Sequence, residues 1–228
     1  MAFEIDKFYF ANAKILSMLP ARDKKMLEEG VVKRRIKAGK VIYREGSFPK
    51  GVYILTKGKV KIYQTTQEAR RQIMYIYTAG EIFGFRPIVC DELHPVTAAS
   101  LEECKYDFIP REHFLKCLNS STAFSNALFV SLAHEFTVWV NNVTVFAQYP
   151  VKSRVALGLL VLREKYRVKG KPTEINLSRE DLASYVGTVK ESAVRALQDF
   201  KQRKMIETQG RKIRILNPQE LKALVSFY

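Results

Sequence analysis

Residues 180–200 read EDLASYVGTVKESAVRALQDF, an amphipathic helical pattern interrupted once, at Gly187. Ser178 stands just before the pattern with Asp181 three positions on, the spacing of a helix cap. Leu182, Ala183 and Val186 then share that helix's inner face. Gly187 supplies a turn, and Thr188 with Glu191 makes a Thr-x-x-Glu capping box that starts a second helix at once. Ala193, Ala196, Leu197 and Phe200 line the inner face of this second helix. Small side chains at Ala183 and Ala193 let the two helices cross closely, at the steep angle of a helix-turn-helix.

The side chains left outside the crossing are Lys190, Glu191, Val194 and Arg195. Glu191 and Arg195 lie on one helical face, ~6 Å apart along the axis, near the spacing of two stacked base pairs. Arginine can donate a bidentate pair to guanine and glutamate can accept from the cytosine amino group, so these two are the expected base readers, with Lys190 a third. The competing reading has Glu191 cap its own helix, pair with Arg195 and touch nothing else. Phosphate contacts are expected from Ser178, Arg179, Thr188 and Ser192 near the helix starts, and from Gly210, Arg211 and Lys212 in a downstream turn.

That turn lies in KMIETQGRKIRIL, two apolar-rich runs around a basic, glycine-containing bend, which predicts a hairpin. Upstream come a helix at about 151–166 and the basic loop VKGKPTEINL. Pro150 marks a boundary, since proline is excluded from a regular helix interior. Before it, Phe129, Leu132, Phe136, Trp139, Val143 and Phe146 recur at spacings of 3, 4, 3, 4 and 3. This seam predicts a helix of roughly 25 residues, about 37 Å long, that packs on a twin from a second subunit, or else on its own domain.

From Val31 to about Pro110 the periodicity is that of short strands punctuated by glycine, as in KVIYREG, GVYILTKGKVKIY, RQIMYIYTAG and EIFGF; this predicts a small antiparallel barrel or sandwich. Residues 6–29 read as helical, with Pro20 a start and Gly30 a stop.

The chain has 228 residues, and its 38 Lys and Arg against 23 Asp and Glu leave a net charge of +15. Such an excess points to nucleic acid, an anionic membrane surface or an acidic protein. Residues 150–228 hold 17 basic and 8 acidic side chains, a net +9, so most of the excess sits on the last third, beside the helix-turn-helix. Cys90, Cys104 and Cys117 are too widely spaced for a zinc or iron–sulfur motif and odd in number for a disulfide framework, which suits reduced thiols in a cytosol. Glu4, Asp6 and Lys7 break any signal-peptide pattern, and His134, Glu135, Asn141 and Asn142 interrupt the most apolar window, 127–146. A cytoplasmic protein without membrane association is expected. No nucleophile–base pairing, metal spacing or phosphate loop suggests an enzyme.

With these residues in place, the chain resembles the Crp/Fnr family of bacterial transcription regulators over nearly its whole length. The likeness is most specific at LSREDLASYVGTVKESAVRALQDFKQRKMI, which has the family's arginine near the first helix, its glycine at the turn and its Glu-x-x-x-Arg pair, here Glu191 and Arg195. EGSFPKGVYILTKGKVKIY followed by AGEIFGF is similar to the family's β-roll sensor, and the aromatic seam sits where the family places its dimer helix. The resemblance implies an α+β protein. Residues 1–119 would form a cyclic-nucleotide-binding-like double-stranded β-helix (β-roll or jelly roll), 120–149 a dimerisation helix, and 150–228 a winged helix-turn-helix. It further implies a homodimer on a palindromic duplex DNA site, with RNA polymerase as a partner.

The sequence departs from the family at the effector cassette. Members that bind cyclic AMP read Phe-Gly-Glu and later Arg-Ser or Arg-Thr-Ala, the glutamate holding the ribose and the arginine the phosphate. Here Phe83-Gly84-Phe85 and later Val96-Thr97 stand at those places. A buried phosphate without its arginine is costly, which speaks against cyclic AMP. Oxygen-responsive members use an N-terminal cysteine cluster, and the first 89 residues contain none. His94, His113 and His134 are the only candidate haem ligands and fit ordinary core or surface roles. No cofactor is expected. Phe83, Gly84, Phe85, Val96 and Thr97 mark the place of an effector pocket, if one exists. The alternative function is a ligand-sensing or protein-interaction module whose β-roll binds a small molecule, without specific DNA readout.

Overall fold

A computed structural model of the chain describes residues 4–10, 12–168, 170 and 172–225; Lys169 and Lys171 of the basic loop lie outside the described residues. After a 3-10 turn at Ile5–Phe8 come α1 (Lys14–Met18) and α2 (Ala21–Glu29). The expected helical stretch is thus three pieces, broken where Pro20 precedes α2 in an extended conformation. Strands β1 (Val32–Ile36), β2 (Val41–Tyr43), β3 (Gly51–Lys57), β4 (Val60–Thr65), β5 (Arg71–Tyr77) and β6 (Ile82–Phe83) follow. Next are α3 (Arg86–Val89), β7 (Thr97–Ser100), β8 (Cys104–Pro110), α4 (Arg111–Ser120) and the long α5 (Thr122–Gln148). The C-terminal part holds α6 (Val151–Lys165), β9 (Ile175–Asn176), α7 (Arg179–Val186), α8 (Lys190–Gln202), β10 (Ile206–Gln209), β11 (Lys212–Ile215) and α9 (Pro218–Ala223). Two compact units divide within α5, between Glu135 and Phe136.

The first unit is a β-roll of two four-stranded sheets, ordered β1-β8-β3-β6 and β2-β7-β4-β5. Strand β3 is buried on both faces: Val52 joins the helix-side cluster while Tyr53 and Leu55 alternate to the other face, and Val52, Leu55, Val60 and Ile62 are each at most 2% exposed. The interior of the roll is aromatic: Phe83 stacks on Tyr53 at 5.1 Å and on Tyr77 at 5.1 Å. Burial of each such ring contributes ~1.5–3 kcal/mol. A second cluster, including Leu27, Phe85, Ile88, Phe114, Phe124 and Leu128, seats α2, α4 and the start of α5.

Glu135 on α5 is buried, which requires partners. Arg86 ion-pairs with it; Ser131 Oγ donates at 3.3 Å and Asn12 Nδ2 at 3.4 Å. Asn12 is fixed in turn by two bonds with the backbone of Ile82, at 2.8 and 2.9 Å. The dimer-seam pattern gave no sign of this network, because a single glutamate in an apolar window reads as a surface position.

In the second unit α6 is buried on all sides from Val155 to Leu162, as expected of a helix that is apolar around its whole circumference. Gly158 is what lets α7 approach it, since a Cβ there would lie 2.7 Å from Val186 Cγ1. Strands β10, β11 and β9 form a small antiparallel sheet in that order. Gln209 pairs with Lys212, so Gly210 and Arg211 make a two-residue turn, with Gly210 at φ 55°. Strand β9 and helix α9 were not read from the sequence; a two-residue strand and a six-residue helix are too short for a periodic signal.

Candidate nucleic-acid interface

Ser178 caps α7, its Oγ accepting from the Asp181 backbone N–H at 3.0 Å. The helix ends at Gly187, which is left-handed at φ 66° and ψ 49°. The Thr188 N–H donates to the Ala183 carbonyl at 3.0 Å, closing the turn in the manner of a Schellman motif. Helix α8 starts differently from the expectation. Its cap position is Val189, with no side-chain cap bond, so Thr188 and Glu191 form no capping box. The extended Val189 separates the turn from α8, and Thr188 sits one residue too early to reach the helix's free N–H groups.

The inner faces are as the pattern requires: Leu182, Ala183 and Val186 on α7, and Ala193, Ala196, Leu197 and Phe200 on α8, are all buried. Two residues with no sequence motif hold the turn. Arg154 on α6 donates from Nη1 to the carbonyl oxygens of Gly187 at 2.6 Å and Val186 at 3.1 Å. These oxygens have no helical partner, and a cation at a helix C-terminus is favourable. From the end of α5, the ring of Phe146 lies 3.1 Å from where a Gly187 Cβ would be. A single arginine in an apolar helix gives no sequence signal of such a clamp.

Glu191 and Arg195 are exposed on α8. Among the described residues they form no ion pair with each other; Arg195 Nη2 donates only to Ser192 Oγ, at 3.2 Å. Lys190 is held by Glu180 of α7, and each of the pair favours its partner's charged form. Arg179 donates to the carbonyl oxygen of Gly210 at 2.9 Å and is partly desolvated, which lowers its pKa. It thereby ties the α7 N-terminus to the hairpin tip. Lys212 pairs with Glu174 at 2.8 Å. Ser178 and Thr188 are half-buried, while Gly210 and Arg211 are exposed. The Glu180–Lys190 pair and the Arg179–Gly210 bond thus tie together the starts of α7 and α8 and the β10–β11 tip.

On α5, Phe129, Phe136 and Val143 are 64–70% exposed and Phe146 39%, with Leu132 and Trp139 half-buried. A second set of apolar side chains on α5, Phe124, Leu128, Val138 and Val145, is buried. The seam is therefore a second apolar stripe on a helix whose first stripe already serves the fold.

In the β-roll, Phe83 and Phe85 are buried, as is Thr97. The space beside Gly84, Phe85 and Val96 is a cavity of about 30 Å³, far below the ~300 Å³ at which ligand pockets begin. His94 stacks on Tyr43 at 3.7 Å there, and burial pushes its pKa down to about 4. The unfolded chain takes up this proton near pH 6.5, the fold only near 4, so stability falls as pH drops from 6.5 towards 4. A His94→Phe variant, which keeps the stack, is expected to lose ~2 kcal/mol less than wild type between pH 7 and pH 4.5 in denaturant titrations. Equal losses would contradict this role.

A β-roll joined through a long helix to a winged helix-turn-helix defines a class of DNA-binding regulator. Residues 33–121 match the cyclic nucleotide-binding domain family, and residues 153–224 the Crp-like helix-turn-helix domain family. The transcriptional activator protein Anr of Pseudomonas protegens is 25% identical over 210 residues, covering 90% of this chain and 86% of that protein. The fumarate and nitrate reduction regulatory protein of Vibrio cholerae is 26% identical over 195 residues, covering 84% and 78%. The solved structure of FixK2 from Bradyrhizobium japonicum superposes with a TM-score of 0.78 at 23% identity, covering 87% of this chain and 98% of that one. The chain belongs to the Crp/Fnr family of transcription regulators. Among the described residues no helix is long and apolar enough to cross a membrane.

Proposed function

We propose that this regulator works in the cytoplasm as a homodimer on a palindromic operator, with Glu191 and Arg195 reading bases. The observation that carries this reading is the exposed pair on α8, unengaged with each other, at the start of a helix that Gly187 aims outward. Two copies of α8 would enter successive major grooves about one turn, ~34 Å, apart. Lys190 reads a base or phosphate only by leaving Glu180. Ser178, Arg179, Thr188, Ser192, Gly210, Arg211 and Lys212 position the duplex, Arg179 in part by holding the wing tip. The α5 stripe forms the dimer seam, and a transcription complex implies contact with RNA polymerase.

The packed β-roll supports control by something other than cyclic AMP. By the family resemblance Phe85, which is buried, stands where cyclic-AMP-binding members carry the ribose-binding glutamate, and the cavity beside it is only about 30 Å³.

Arg195→Ala is expected to relax base preference at one position per half-site, costing ~1–3 kcal/mol on the specific duplex. Lys212→Gln should instead weaken every duplex alike and reduce the salt slope by about 1 per protomer. Titrations on specific and scrambled duplexes at several salt concentrations separate the two. If Arg195→Ala weakens both duplexes equally, the readout assignment is wrong.

A further inference from the structure

We propose that the outer face of the β1-β8-β3 sheet is a second anion site, built to hold a compact polyphosphate of the size of a nucleoside triphosphate. A cleft of about 510 Å³ lies there, lined by Lys33, Arg34, Arg35, Thr56, Lys105, Tyr106 and Asp107. Its volume falls in the ~300–1,000 Å³ range of small-molecule sites, unlike the packed interior of the roll.

The charge pattern of this face works against the fold. Arg35 of β1 is the register partner of Lys105 of β8, and Lys105 is the partner of Lys57 of β3. Three cations thus stand in one cross-strand row, an arrangement that destabilises a sheet. Glu103 answers part of it, bonding Arg35 at 2.7 Å with its own pKa lowered by Arg35, Lys57 and Lys105. One carboxylate for three cations leaves the row positive; on the same face Lys33 stands opposite Asp107, while Arg34 and its partner Tyr106 alternate to the other face. Lysine is common on edge strands as a guard against edge pairing, and β1 is such an edge. Strands β8 and β3 are interior to the sheet, so edge protection does not account for Lys105 and Lys57.

A ligand carrying two or more phosphates could span the row and remove the repulsion. Asp107 and the Thr56 hydroxyl at the cleft supply acceptors for sugar or base donors. An extended acidic protein surface would need no cleft, which is why a small ligand is favoured.

The test is calorimetric titration of the 228-residue chain with ATP and, separately, inorganic tripolyphosphate at ~0.15 M salt, a condition that screens loose surface attraction. Saturable binding of either is expected, weakened at least 10-fold in the exposed pair Lys57→Gln/Lys105→Gln and in Lys33→Gln, but not in Arg211→Gln/Lys212→Gln. Similar affinity for both probes identifies a phosphate site, and tighter ATP binding a nucleotide site. The paired variant's melting temperature without ligand should equal or exceed that of wild type, because the repulsion is gone. No saturable binding of either probe overturns the proposal. So does binding lost only in the Arg211/Lys212 variant, or preference for a poly-glutamate peptide over both phosphates.

Discussion

Replacing Phe136 by aspartate is expected to leave the protein folded but monomeric, with operator affinity reduced more than 1,000-fold. Phe136 is 70% exposed at the centre of the α5 stripe, so aspartate there removes nothing from the chain's own core. In a dimer the same position would be buried twice. Each ring contributes ~1.5–3 kcal/mol on burial, and a carboxylate left unpaired in the seam adds a penalty of several kcal/mol. The sum exceeds the ~4 kcal/mol that corresponds to a thousandfold. Loss of the dimer also halves the DNA contacts, since each half-site requires its own α8. Sedimentation velocity at micromolar concentration, with circular dichroism as the fold control, reads the result. Val145→Asp provides the contrast: Val145 is 5% exposed, on the other face of the helix, and its replacement should lower the melting temperature. A Phe136→Asp protein that remains dimeric would remove α5 from the interface.

Gly187→Val is expected to destabilise the C-terminal unit by ~3–5 kcal/mol and to abolish DNA binding under conditions where the β-roll remains folded. A left-handed conformation costs an L-residue ~1–2 kcal/mol, more for a β-branched one. A Cβ at this position would also lie 3.1 Å from both Arg154 Nη1 and the Phe146 ring, and overpacking of this kind costs ~1–3 kcal/mol. Relief would require Arg154 to release the Gly187 carbonyl or Phe146 to move, either of which re-aims α8. Gly187→Ala should show the same effects at about half the size. Chemical denaturation followed by the fluorescence of Trp139, on α5 in the C-terminal unit, together with duplex binding, checks both. A Gly187→Val protein with native stability and affinity would mean that the turn is not constrained.

The helix-turn-helix was legible because its signals are local: a serine cap, a left-handed glycine and two 3.6-residue faces meeting at small residues. The β-roll was legible as short strands with glycine turns. The start of α8 was misread because Thr-x-x-Glu has the right spacing wherever it falls; only the extended Val189 shows the helix beginning one residue later. The partners of Arg154, Glu180 and Glu135 were not legible, for a common reason. Each acts on a different element of the fold, on the Gly187 turn, on Lys190 and on Arg86, and a single charged residue carries no periodicity. The departure at Phe85 was visible, but its consequence, a cavity of about 30 Å³, depends on how Tyr43, Tyr77 and His94 fill the roll.

Glu191 and Arg195 can read bases only if the protein selects sequence, and a randomised duplex pool offers every sequence at once. Rounds of binding and amplification with the 228-residue chain should enrich a two-fold symmetric site with half-sites one helical turn apart, ~34 Å. The same selection with Arg195→Ala should return a consensus that loses one position in each half. A wild-type selection that enriches no consensus, or an asymmetric one, would contradict a homodimer reading DNA through α8.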